Sequence, residues 1–560
     1  MRINRLLCGN GISGIGRKKI GSRRSFLLRP VIEALEPRLL LSSSSVNVLS
    51  YHDDSSDTGQ NLSETVLTPS DVNSSDFAKL NTTTLDGNVY AEPLYVQNVN
   101  INLSASATNG SSSNDGVHSV IFAATQNDSL YAIDANTGTI LWHDSFLNTT
   151  DPTNLTATTG VTAVPAADVV DTSDINPEIG IVATPTISLN SNDGGELYLN
   201  AKTKEVIGGN TYFVQRLWEI DITTGVATNH VVIGDTEFNS TNYSGYSGYE
   251  YVAGPVIAGT GNNGSGVPGD GWTANASGYD PEVANSGYTH PAQIAFNALL
   301  EMQRTAMTLV NGELYLGFGS HGDEGPYYGW IMGYNASTLQ LNTVFNTAPT
   351  YEPFSVVSGD KSSFDAQGSI WMGGGPIVSD GTYLYVSVGN GAFNPNPANF
   401  SSLGGLPLDN DYGDAILKLA VDTTHTSQAT QSANGWGLKV VDYFTPSNVF
   451  EMNKNDIDLG SSGIVLVDGG NELVAAGKEG RIYLINTQTG DMGEYNYNYI
   501  SDGFETTNED PRPFDRVLGE YPVDAVNNQT HRAYASGAYF DGNIYYATQS
   551  DTGMEFGLST

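Results

Sequence analysis

The stretch GSHGDEGPYYGW, Gly319 to Trp330, sets His321, Asp323 and Glu324 within four positions, among glycines and ahead of three aromatic residues. An imidazole beside carboxylates is material for a general base or a metal site. The same residues also make an ordered turn shaped by Pro326 and the glycines. A second cluster, DNDYGD, holds Asp409, Asp411 and Asp414 in a glycine-containing loop. Oxygen-rich loops of this kind suit Ca²⁺, although the later glutamate of the twelve-residue EF-hand is missing. NKNDIDLG, Asn453 to Gly460, is a weaker version. Solvated acidic turns are the competing reading of both.

Several chemistries are absent from the sequence. It has no GxSxG elbow, no HExxH among its eight histidines and no P-loop. Its single cysteine, Cys8, lies near the N-terminus, so the rest of the chain makes no disulfide, zinc–thiolate site or cysteine nucleophile.

Charge is distributed very unevenly. Of 23 basic and 61 acidic residues, nine and two fall in residues 1–45, leaving 14 against 59 and a net charge of −45 beyond them. That surface repels nucleic acid and anionic lipid, so nucleic acid is excluded as a partner. Divalent cations or a salty medium suit it. No run of 18 apolar residues occurs, so no transmembrane segment is expected.

In the basic leader, SRRSFLL (Ser22 to Leu28) is similar to a twin-arginine export signal, but Arg29, Glu33, Glu36 and Arg38 interrupt the apolar stretch that must follow. IEALEPRLLLS, Ile32 to Ser42, resembles the LEPR-XLL motif of large exported or surface proteins of bacteria, with Leu35, Glu36, Pro37, Arg38, Leu40 and Leu41 all in place. That likeness implies a secreted or cell-surface location. Residues 1–45 are therefore read as a targeting segment and 46–75 as a polar linker.

Internal repetition sets the architecture. Asp-Gly or Asn-Gly pairs at 115–116, 193–194, 311–312, 380–381, 468–469 and 541–542 are hairpin signals. After each comes a β-rich run: HSVIFAATQ, ELYLNAK, ELYLGFG, TYLYVSVG, ELVAAG and NIYYAT. Further runs follow: SLYAID, RLWEID, WIMGYN, AILKLA, RIYLIN and EFGLST. Small residues or proline mark a strand before each turn. The expectation over 76–560 is an all-β chain, a β-propeller of four-stranded antiparallel blades, six in number, or seven if one unit is unrecognised. FAKLNTTTLDG, Phe77 to Gly87, would supply the outer strand of the closing blade. A Gly/Asn/Tyr-rich insertion spans about 236–295, with a brief helix over 291–304.

This architecture gathers the candidate residues. The connections between second and third strands fall on one face beside the central opening. They bring together Gln126, Lys202, Lys204, Ser320, His321, Asp323, Asn390, Lys478 and Glu479 as ligand-binding candidates, with His321 and Asp323 as catalytic candidates. Three of the 14 basic residues sit there. They invite an anionic ligand, or pair internally with Asp323, Glu205 and Glu479.

IFAATQNDSLYAIDANTGTILW, Ile121 to Trp142, resembles the repeat of pyrroloquinoline-quinone (PQQ)-like, quinoprotein alcohol dehydrogenase-like propellers. NPEIGIVATPTI, FVQRLWEIDITTG, GFGSHGDEGPYYGW, VVDYFTP and AAGKEGRIYLIN extend the likeness, to a bacterial secreted family, over roughly 65–550. The resemblance implies the fold and an exported location. A PQQ- and calcium-dependent sugar or alcohol dehydrogenase is the enzyme alternative. It needs cations for three cofactor carboxylates, a base and a stacking tryptophan, for which Trp330 and Trp371 are candidates. The adjacent cysteines of alcohol-oxidising members are missing. The leading expectation is a binding or scaffold module whose partner is an extracellular ligand, glycan or surface component.

Overall fold

A computed structural model describes residues 46–558 apart from 65–66, 68–69, 75–76, 104–109, 148–157, 170–173, 192–193, 208–209, 235–252, 259–292, 323–326, 350–365, 395–399, 401–404, 496–516, 523–531 and 550–552. The targeting segment and most of the 236–295 insertion thus lie outside the described residues, as do Asp323 and Glu324.

Among the described residues the chain folds into six larger antiparallel sheets, one for each sequence unit, and two two-stranded pairs, Ala253–Ala258 with Gln293–Asn297 and, in parallel, Tyr327–Tyr328 with Ala366–Gln367. The first takes Leu94–Ile101, Gly116–Thr125, Ser129–Asp134 and Ile140–Ser145 in chain order. The fourth and fifth repeat this four-strand plan, over Val378–Phe444 and Ile464–Pro522. In the second, Thr186–Leu189, Gly195–Ile207, Asn210–Asp221 and Ala227–Ile233 are joined by Thr158–Pro165 and Glu178–Ile179. The third, Thr308–Asn346, gains Glu301–Gln303 and Gly435–Trp436. The sixth has three strands, Ala538–Phe540, Asn543–Tyr546 and Met554–Gly557. Hairpin turns at Asn311-Gly312, Asp468-Gly469 and Asp541-Gly542 carry positive φ at both residues, as the sequence pairs require.

Hydrophobic clusters lie between successive sheets. One joins the first and second through Phe122, Trp142, Leu197 and Trp218. The next joins the second and third through Phe213, Leu217, Leu316 and Trp330. Others link the third, fourth and fifth, and the fifth and sixth.

Convergence on an axis is shown by a single segment. Backbone N–H groups of Tyr95, Ile187, Ser379, Leu466 and Tyr539, from the first strands of five different sheets, donate to the carbonyls of Val48, Leu49, Ser55, Ser56 and Thr58 at 2.7–3.0 Å. Five sheets reach one eleven-residue stretch only if their inner edges surround it. The fold is therefore a β-propeller, and residues 48–58 run through its centre.

Four expectations are corrected. The stretch read as a linker contains this axial segment, which satisfies edge-strand donors that would otherwise face the channel. Phe77 to Gly87 does not close the ring: no strand forms there, and Asn81 and Thr83 bond the Asn136 and Gly138 carbonyls of the first sheet. The brief helix over 291–304 is replaced by strands Gln293–Asn297 and Glu301–Gln303, because pairing of Glu301 to Gln303 with Ser320 to Phe318 overrides helix propensity. Finally, Lys202 to Glu205 lie within a strand, paired with Gln215 to Tyr212, and the hairpin turns between Ile207 and Asn210.

Candidate functional site

Most of the expected ring residues are brought to the inter-strand face, but as interior groups. Lys202 is 2% exposed. Its Nζ donates to the carbonyl oxygens of Leu299 (2.7 Å) and Glu301 (3.1 Å). Burial pushes its pKa down to about 7, opposed by the Glu301 and Asp128 carboxyls. Burial likewise pushes Glu301 up to about 8. Both shifts favour neutral groups in a dry interior. Lys204 pairs with Asp168 at 2.6 Å. Next to it the buried Arg216 pairs with Glu205.

Lys478 is held by Asp456 at 3.1 Å and Asp458 at 2.5 Å, and these carboxylates raise its pKa. Asp458 Oδ1 also accepts from the Asn390 backbone N–H at 2.7 Å, while Asn390 Nδ2 donates to Asp456. Glu479 accepts from Asn448 Nδ2 and the Tyr483 hydroxyl, each at 2.8 Å. Gln126 is buried and donates to the Asn176 carbonyl. Lysines were thus visible in the sequence, but their partners were not: Asp168, Asp456 and Asp458 come from other loops, and none is the Asp323, Glu205 or Glu479 expected.

His321 is buried, and its backbone N–H donates to the Leu300 carbonyl at 3.2 Å. Asp323, the other catalytic candidate, lies outside the described residues. Ser320 is buried too; its N–H donates to Ser369 Oγ, and its carbonyl accepts from Trp371 Nε1 at 2.9 Å. Tyr327, Tyr328 and Trp330 are all buried, fixing the end of the loop as expected. Trp330 therefore offers no stacking surface, whereas Trp371 is partly exposed.

Among the described residues no group of three or more His, Cys, Asp or Glu is placed to hold a metal ion. Asp411 donates its backbone N–H to Asp409 Oδ1. Asp414 is fully buried, and its Oδ1 accepts the backbone N–H of Leu459, at the start of the next sheet's unit, at 2.9 Å. Burial, then Asp458, raises the Asp414 pKa well above the carboxylate range. Asp128 does the same between the first and second sheets, with Oδ1 accepting the Lys202 backbone N–H at 3.3 Å. Both aspartates have left-handed backbones (φ 51 and 47) just before a third strand. They are inter-blade straps.

PQQ also fails to fit the expected ring. Its carboxylates need available cations, and Lys204 and Lys478 are neutralised while Lys202 is enclosed. His321, the histidine candidate for a base, is 1% exposed.

No family model matches the chain, and no curated protein matches it significantly. Among solved structures it is similar to BamB from Moraxella catarrhalis, with 9% identity, 78% of this chain and 69% of that chain covered, and a TM-score of 0.32. It is similar also to the Cps50 (Swd1) β-propeller domain of Myceliophteria thermophila, with 10% identity, 86% and 98% covered, and a TM-score of 0.31. For a europium-containing methanol dehydrogenase the values are 12% identity, 78% and 72% covered, and a TM-score of 0.26. These likenesses concern the fold alone. No helix among the described residues is long and apolar enough to cross a membrane.

Proposed function

We propose that the chain is an exported bacterial β-propeller that works as a binding or scaffold module, engaging an extracellular ligand, glycan or surface component at its central face. Export rests on the LEPR-XLL-like leader and on the resemblance to secreted PQQ-like propellers. The observation that favours binding over quinone-dependent oxidation is the internal pairing of the ring: Lys204 with Asp168, and Lys478 with Asp456 and Asp458. Such cross-bracing gives a fixed surface and leaves few charges free for a tricarboxylate cofactor.

Two measurements on the purified full-length protein test this. Retention is scored on immobilised extracellular polysaccharides and cell-wall fragments, and dye reduction on sugars and alcohols is scored after incubation with PQQ and Ca²⁺. Retention on a surface component without dye reduction is expected. A bound quinone chromophore with substrate-dependent dye reduction would replace the reading by the dehydrogenase, and a protein retained by nothing would remove it.

A further inference from the structure

One cation on the central face stands apart from the paired ring. Arg304 lies just ahead of the inner strand of the third sheet, and among the described residues its one hydrogen bond is long, from Nη2 to the Gly373 carbonyl at 3.5 Å. No described carboxylate lies within ion-pair distance of it, unlike Lys204, Arg216, Lys478 and Arg481, each of which has one. Burial lowers its pKa from the ordinary value, and the groups acting the other way are the Tyr51 and Tyr90 hydroxyls rather than any acid. With no described acid to pair with, this half-buried guanidinium can accept a carboxylate from a ligand.

Tyr51 and Tyr90 lie close enough for their hydroxyls to act on it. The turn Trp371–Gly374 is the hub. A Cβ on Gly374 would lie 2.3 Å from Arg304 Nη1, and a Cβ on Gly373 would lie 2.3 Å from the Tyr534 carbonyl. Both glycines have positive φ, 61° and 92°. The turn therefore brings the guanidinium, the Tyr534 main chain and Trp371 to one place. Trp371 is fixed by its bond to the Ser320 carbonyl and remains partly exposed. Tyr90 and Tyr534 are 36% and 45% exposed.

We infer that this axial mouth binds a sugar carrying a single carboxylate, with Arg304 taking the carboxylate and the exposed rings of Tyr534, Tyr90 and Trp371 taking the pyranose faces. Guanidinium and carboxylate match as a planar two-bond pair. Aromatic faces suit the C–H surfaces of a sugar ring, and their electron-rich centres do not suit a second anion. Charge limits the ligand further. One guanidinium in a chain of net −38 cannot offset a polyanion, so the carboxylate is solitary on an otherwise neutral glycan. This inference rests on the proposed binding role and names the ligand class at the same face.

Calorimetric titration of the full-length protein tests it, using a β-linked trisaccharide ending in glucuronate and its glucose-ended analogue. The glucuronate form should bind at least tenfold more tightly. Arg304→Gln should abolish that preference, Arg304→Lys should keep part of it, and Tyr534→Ala should weaken both sugars alike. Thermal melts check that each variant is folded, and the exposed Tyr534 serves should Arg304→Gln not fold. Equal binding of the two trisaccharides, or a preference that survives in folded Arg304→Gln, would overturn the site. Displacement of the trisaccharide by PQQ, dependent on Arg304, would reassign the guanidinium to a quinone carboxylate. If neither trisaccharide binds while a surface component is still retained, this inference fails and the binding role stands; if nothing is retained, both fail.

Discussion

Asp414 shows how differently one carboxyl can read in sequence and in space. In DNDYGD it resembles a cation ligand, yet its side chain spans two sheets to the Leu459 N–H, and burial raises its pKa. Its left-handed backbone, φ 47, suits Asp or Asn. Asp414→Asn retains the acceptor oxygen and the backbone preference and should change stability by less than about 1 kcal/mol. Asp414→Ala leaves a buried N–H unpaired, at about 1–3 kcal/mol, with roughly 1 kcal/mol more for the backbone. Urea denaturation of the two variants measures the difference; equal stability would dismiss the strap. Residue types at this face were legible because hairpin spacing put them there. Their partners were not, since an ion pair such as Lys204–Asp168 depends on two loops whose approach no local pattern encodes.

Among the elements, the axial segment is the one the sequence concealed. Its bonded carbonyls, at positions 48, 49, 55, 56 and 58, follow neither the strand nor the helix period, because each is placed by a different sheet. Polar Ser, Asp and Gly composition then reads as linker. Its centre is Asp57, fully buried and 2.8 Å from His52 Nδ1. A Cβ on Gly463 would lie 1.9 Å from Ser536 Oγ and 3.1 Å from Asp57 Oδ2, so Gly463→Ala should destabilise by about 1–3 kcal/mol through overpacking. Burial raises Asp57 to about 6, and the neighbouring acids Asp57 and Glu92 raise His52 against its own burial. A raised folded-state pKa means that the proton stabilises the fold. The Asp57 contribution is complete below about pH 4, and it is lost as pH rises through about 6; the His52 contribution is lost at higher pH, through its own raised value. Melting temperatures from pH 4 to 8 should fall less steeply in Asp57→Asn than in the parent chain. Parallel pH curves would show that the axial carboxyl does not titrate in folding.

For the whole molecule, the rhythm of turn pairs and β-runs carried over into antiparallel sheets at each unit, because hairpin chemistry and alternation are local properties of the chain. Ring closure is not local, and there the expectation failed. The sixth sheet has three strands, Phe540 and Tyr545 on it are 56% and 37% exposed, and no hydrophobic cluster among the described residues joins it to the first sheet. Stability should therefore be uneven around the axis. Hydrogen–deuterium exchange should be faster in Asn543–Tyr546 and Met554–Gly557 than in Glu472–Ala476 and Arg481–Asn486 of the fifth sheet; equal protection would show that the sixth is braced as firmly as the rest. The axial segment has a further effect, on the order in which the protein can assemble. Ser55 meets Ser379 across 324 residues, and Thr58 meets Tyr539 across almost the whole described chain. Contacts of such sequence separation add their stabilisation only after the loops between them have closed. A ribosome delivers residues 48–58 ahead of all five partner strands, Tyr539 being the last of these partners to emerge. The nascent chain must therefore carry this segment unpartnered until the sheet of Tyr539 arrives, and completion of the axial bonding becomes a late event that couples residues 48–58 to Ala538–Phe540.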